Sequence, residues 1–61
     1  MDDKEKVLVF VKKKINNCDF DVLKYKDDGK YIQITINVEG DGEIYLGINR
    51  RKDGYRLVTT E

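Results

Sequence analysis

The chain contains no histidine, serine, alanine, proline or tryptophan, and one cysteine, Cys18. Each gap closes a route to chemistry or to stability. Without serine and histidine there is no Ser-His-Asp triad. A lone thiol forms no intrachain disulfide, and a Cys/His zinc site cannot be assembled within one chain. No apolar run approaches the roughly 20 residues of a membrane span. Val7-Leu8-Val9-Phe10-Val11 is the longest such run and is too short for a signal-peptide core. Asp2, Asp3 and Glu5 stand where a signal peptide is positively charged. The expectation is a cytoplasmic protein with no membrane segment, no cofactor and no metal. A free thiol fits that compartment.

Charge of either sign in excess is also missing. Twelve basic and twelve acidic residues cancel. That balance does not favour general attraction to nucleic acid or membranes. It also gives no colloidal protection against association. At 61 residues there is room for one domain, 1–61. A chain of this size buries about 60% of its unfolded surface. Its core supplies about 3–5 kcal/mol. Stability therefore rests on regular local structure, on self-association or on a partner. Lysine, isoleucine, asparagine and tyrosine are plentiful, and their codons suggest an A/T-rich gene.

Turn signals divide the chain into five segments. Over residues 3–17, Val7, Leu8, Phe10, Val11, Ile15 and Cys18 fall in one stripe at helical spacing. Asp2 or Asp3 can cap the start, and Lys12, Lys13 and Lys14 complement the dipole at the end. Asn16-Asn17 reads as a stop. Cys18 is expected to be a small apolar core residue rather than a reactive thiol.

Asp28-Gly29, Asp41-Gly42 and Asp53-Gly54 are hairpin signals. They bound strands near 19–26, 31–38, 44–50 and 55–60. In the second, Ile32, Ile34, Ile36 and Val38 share a face. In the third, Ile44, Leu46 and Ile48 do so. A loop Gly40-Asp41-Gly42 would set Val38 opposite Ile44, Ile36 opposite Leu46 and Ile34 opposite Ile48. In the first strand, Phe20 and Val22 are out of phase with Leu23 and Tyr25. Either both faces are partly covered or a bulge shifts the phase. In the fourth, Leu57 and Val58 point opposite ways, and the turn does not decide which is inside. The fold expected is a two-layer α+β domain, with the N-terminal helix packed on a four-stranded antiparallel meander, α-β-β-β-β. One helix can hardly shield both ends of such a sheet, so part of the apolar face is left for another chain to complete.

Carboxylates are numerous, but general acid–base work needs a cleft that shifts their pKa values, and a chain this short has little room for one. Asp27-Asp28-Gly29 and Asp41-Gly42 read as turn chemistry. The chain is expected not to be an enzyme. Two surfaces carry the functional expectation. The outer sheet face would present Tyr31, Gln33, Thr35 and Asn37 beside Tyr45, Gly47 and Asn49. Such uncharged strand faces stand out where 39% of residues are charged, and tyrosine and asparagine are typical contact residues. The second is a basic cluster, Arg50, Arg51, Lys52 and Arg56, suited to phosphate or carboxylate. The first surface suggests a small protein-interaction module that binds and modulates or inhibits a larger protein, as many phage-encoded proteins do. The alternative is a nucleic-acid-binding domain that uses the same face with those basic residues. A homodimer is a further option.

Overall fold

In the computed structural model, residues 2–60 are described. Helix α1 runs Asp3–Lys14, followed by strands β1 Phe20–Asp27, β2 Tyr31–Val38, β3 Gly42–Arg51 and β4 Gly54–Thr60. The strands are antiparallel and hydrogen-bonded in chain order, β1-β2-β3-β4. The fold is the expected α+β meander with the helix on one face.

Asp2 caps the helix, accepting a hydrogen bond from the Glu5 amide at 2.9 Å. The helix ends three residues earlier than its periodicity suggests. Asn16 and Asn17 both adopt left-handed backbone, φ 58° and 61°, and the Asn17 amide donates back to the Lys12 carbonyl at 2.8 Å. Asparagine tolerates this conformation better than most side chains. Cys18 therefore lies beyond the helix and is exposed. The expectation that it closes the apolar stripe is wrong, because the left-handed pair turns the chain before the stripe reaches it.

Among the described residues the core is eight side chains: Val7 and Val11 from α1, Ile32, Ile34, Ile36 and Val38 from β2, and Leu46 and Ile48 from β3. Phe10, Ile15, Phe20, Tyr25, Ile44, Tyr55 and Leu57 pack around them, partly buried. The β2–β3 register differs from the expected one by two residues. Val38 lies opposite Gly42, Ile36 opposite Ile44, Ile34 opposite Leu46 and Ile32 opposite Ile48. The loop is Glu39-Gly40-Asp41. The Asp41 amide donates to the Val38 carbonyl at 3.0 Å, and Gly40 takes φ 92° at the turn position that needs it. A shift of two keeps every side chain on its face, so the shared apolar face survives.

Both outer strands carry bulges. In β1 the pairing slips between Val22 and Lys24, leaving Leu23 over. Phe20 and Val22 then lie opposite Val38 and Ile36, and Tyr25 opposite Ile34. Of the two readings of this strand, the bulge accounts for the phase break. In β4, Leu57 pairs with Ile48 on the inner face, and Val58 is the extra residue, 51% exposed.

A core this small has little reserve. Ile36→Val should lower stability by about 0.5–1.5 kcal/mol, whereas Ile36→Ala, at about 2–5 kcal/mol, should abolish folding. Urea denaturation followed by circular dichroism reads both.

Candidate functional site

Outward-facing residues alternate with the core residues along the two central strands. On β2 they are Tyr31, Gln33, Thr35 and Asn37; on β3 they are Glu43, Tyr45, Gly47, Asn49 and Arg51. The register sets Tyr31 opposite Asn49, Gln33 opposite Gly47, Thr35 opposite Tyr45 and Asn37 opposite Glu43. Arg56 joins from β4, opposite Asn49. All seven residues expected on the outer face are there together.

That face is not uniformly solvated. Gly47 is buried although it points away from the core, because the Tyr31 ring lies across it. A Cβ at position 47 would sit 2.9 Å from Tyr31 Cζ and closer still to its hydroxyl. Thr35, at 9% exposed, is also closed off, while Tyr45 stands out at 51%. Between the two tyrosines runs a groove of about 320 Å³, lined by Gln33, Thr35, Gly47 and Thr59 among others. Its lining bears no formal charge. Charge surrounds it: Arg51 and Arg56 toward the β3–β4 turn, Asp21 and Glu43 toward the other end, and Lys24 and Lys26 along its β1 side, opposite Thr35 and Gln33.

The basic cluster is divided by the sheet. Arg51 and Arg56 lie on the outer face, and Lys52 is exposed in the turn between β3 and β4. Arg50 is on the helix side, in row with Ile44, Leu46 and Ile48, and its guanidinium is already engaged. Nη1 donates to Asp27 Oδ1 at 2.6 Å and to the Gly29 carbonyl at 2.6 Å. Nη2 donates to Asp27 Oδ2 at 2.5 Å and to Asp3 Oδ2. The Tyr55 hydroxyl donates to Asp3 Oδ1 at 2.8 Å. An arginine forked onto one carboxylate and bridged to another is not free for an external anion. Arg50 serves instead to tie the first turn of α1 to β1, β3 and β4. Sequence reading missed Asp3, Asp27 and Tyr55 as its partners, although the alternation of β3 already assigns Arg50 to the isoleucine row.

The cluster also sets its own protonation. Hydrogen bonds from Arg50, and then from the Gly29 amide, lower Asp27 from an ordinary 3.8 to about 2. Arg50, with help from Tyr55, lowers Asp3, and the Asp27 and Asp3 carboxylates raise Arg50. Burial raises Tyr25, whose hydroxyl is closed off without a hydrogen-bond partner. Among the described residues, no group of His, Cys, Asp and Glu could hold a metal ion, and no helix is long and apolar enough to cross a membrane. Comparison with protein families, with characterised proteins and with solved structures finds no match to this chain.

Two outcomes follow from this geometry. Gly47→Ala should cost about 1–3 kcal/mol by pushing the Tyr31 ring aside. Most of that cost should vanish in a Tyr31→Ala background, which a double-mutant cycle measures. A folded-state pKa held low means that the unfolded chain takes up protons first as pH falls. The stabilisation from Asp27 is therefore complete above its ordinary value and is lost as pH drops through about 2. Denaturation midpoints across acid pH should show that fall in the wild type and a flatter profile in Asp27→Asn.

Proposed function

We propose that this chain is a small, non-enzymatic protein-interaction module that docks through its outer sheet face onto a larger protein and thereby modulates or inhibits it. The observation that carries the reading is the Tyr31 ring laid over Gly47. It gives an otherwise flat sheet a shallow, uncharged groove with Tyr45 on its far side. Tyrosine offers large contact area for little conformational entropy, and it is enriched where binding energy concentrates. Gln33, Asn37 and Asn49 around the groove supply hydrogen-bonding groups that need not be stripped of charge on docking. The sheet backbone beneath is held by the core on its other side, so the face is presented without a loop to order.

The rival reading is a single nucleic-acid strand laid across the same face, with bases stacked on Tyr31 and Tyr45 and phosphates on Arg51 and Arg56. What favours it is the position of those two arginines at one end of the groove. Arg50 contributes nothing to it, being committed to Asp3 and Asp27. Asp21 and Glu43 at the opposite end oppose it.

Affinity capture on nuclease-treated lysate separates the two. Wild type is expected to retain one stoichiometric protein that a Tyr31→Ala/Tyr45→Ala variant loses while keeping its circular dichroism spectrum. Loss of all bound material on nuclease treatment would sink the protein-docking reading. It would be accompanied by salt-dependent binding to oligonucleotides, weakened by Arg51→Ala and Arg56→Ala.

A further inference from the structure

The helix covers the sheet unevenly. β2 is almost wholly closed off, but β1, at one edge, is mostly exposed. Val22 is 36% exposed, Leu23 50% and Val9, on the neighbouring helix flank, 45%. Between α1 and β1 lies a second groove, of about 310 Å³, lined by Leu8, Val9, Phe20 and Val22, with Lys12 and Asp19 at its rim. The Lys12–Asp19 ion pair across that rim spans 3.5 Å, with Asp19 95% exposed, and a pair so open to water holds little. The apolar face that one helix was not expected to close is thus left open along β1.

We propose that a second copy of this chain completes that face, its β1 running antiparallel to the first about a two-fold axis that passes between Val22 and Leu23. The bulge is what makes the pairing self-consistent. In a regular strand, residues an odd number of places apart point to opposite faces. In β1 the leftover Leu23 reverses the alternation midway. Asp21 and Lys24 therefore both lie on the outer face, opposite Asn37 and Thr35, and Phe20 and Tyr25 both lie on the helix face, opposite Val38 and Ile34. A two-fold axis at the bulge sets Asp21 against Lys24 of the other copy and Phe20 against Tyr25. One step further out, Asp19 meets Lys26. Each contact occurs twice by symmetry, which is the isologous arrangement of most homodimers. Within residues 19–26 the acids, Asp19 and Asp21, precede the axis and the lysines, Lys24 and Lys26, follow it. Antiparallel pairing of identical strands therefore brings opposite charges together, while parallel pairing would stack like on like. A net charge of zero removes any long-range repulsion between copies.

The resulting eight-stranded sheet carries both helices on one side and joins their two α1–β1 grooves. Both tyrosine-walled faces lie on the other side, free. The inference does not rest on the function proposed for those faces, but it makes them bivalent.

Sedimentation across the micromolar-to-millimolar range tests the pairing. The weight-average mass should double with concentration, and amide resonances of residues 8–12 and 19–26 should shift on dilution. Lys24→Glu/Lys26→Glu makes the charges of residues 19–26 wholly acidic, and Asp19→Lys/Asp21→Lys makes them wholly basic, so each variant alone should stay monomeric. Mixed, they should form a one-to-one dimer. A wild type that remains monomeric throughout would overturn the proposal and show that the bulge and lysines block the edge instead. So would dilution shifts confined to residues 31–37 and 43–49, which need only wild-type protein to observe. A dimer that both charge variants retain unmixed would place the interface elsewhere and overturn it equally.

Discussion

Two valines, Val7 and Val11, are all that the helix contributes to the fully buried core, and the rest of the structure depends on where they sit. They pack with a patch of four isoleucines, Ile32, Ile34 and Ile36 from β2 and Ile48 from β3, each at most 1% exposed. β-branched side chains suit both the pleated strand and the facing surface, because few rotamers are lost on burial. Placing the valines over β2 and β3 satisfies the centre of the sheet and leaves its margins to partly buried side chains. On the β4 side, Phe10 reaches Tyr55, ring centroids 5.7 Å apart. On the β1 side a groove remains between Leu8 and Val9 of the helix and Phe20 and Val22 of the strand.

Polar contacts fix what the valines alone leave loose. Apolar packing does not dictate how a short helix is oriented on a sheet. Arg50 does, because its forked contact with Asp27 is directional and its contact with Asp3 pins the first helical turn. The Lys4 ammonium over the Tyr25 ring, 5.0 Å from its centroid, adds to the same end. The two faces of the sheet thus divide the labour. The inner one spends Arg50 and Asp27 on holding the helix, and the outer one presents Gln33, Asn37 and Tyr45 to solvent among the charges of Asp21, Lys24, Lys26, Glu43, Arg51 and Arg56.

Most of this was legible in the residues themselves. Alternation in Ile32–Val38 and Ile44–Ile48, with an Asp-Gly pair near each reversal, carries the strands, their order and the facing of Tyr31, Gln33, Thr35, Asn37, Tyr45 and Asn49. What escaped depends on quantities that alternation does not encode. A register shifted by two leaves the pattern unchanged, so the choice between the loops Gly40-Asp41-Gly42 and Glu39-Gly40-Asp41 rested on backbone geometry at Gly40. Cys18 matched the helical spacing, but two successive left-handed residues outweighed it. The commitment of Arg50 was hidden because Asp3 and Asp27 are distant in sequence and meet it only after the helix has docked. The role of Gly47 was equally hidden, since nothing in a strand pattern says that an aromatic ring from the neighbouring strand will lie on a glycine.

The bulges in β1 and β4 and the unbroken pairing of β2 with β3 have an evolutionary corollary. Each outer strand already holds one residue more than its partner needs, so a deletion or insertion there can be absorbed by closing or widening a bulge. The same change inside β2 would turn the isoleucine row toward solvent and lift Tyr31 from Gly47. Descendants of this chain are therefore free to drift in length along their edges, while the central hairpin must change by substitution alone.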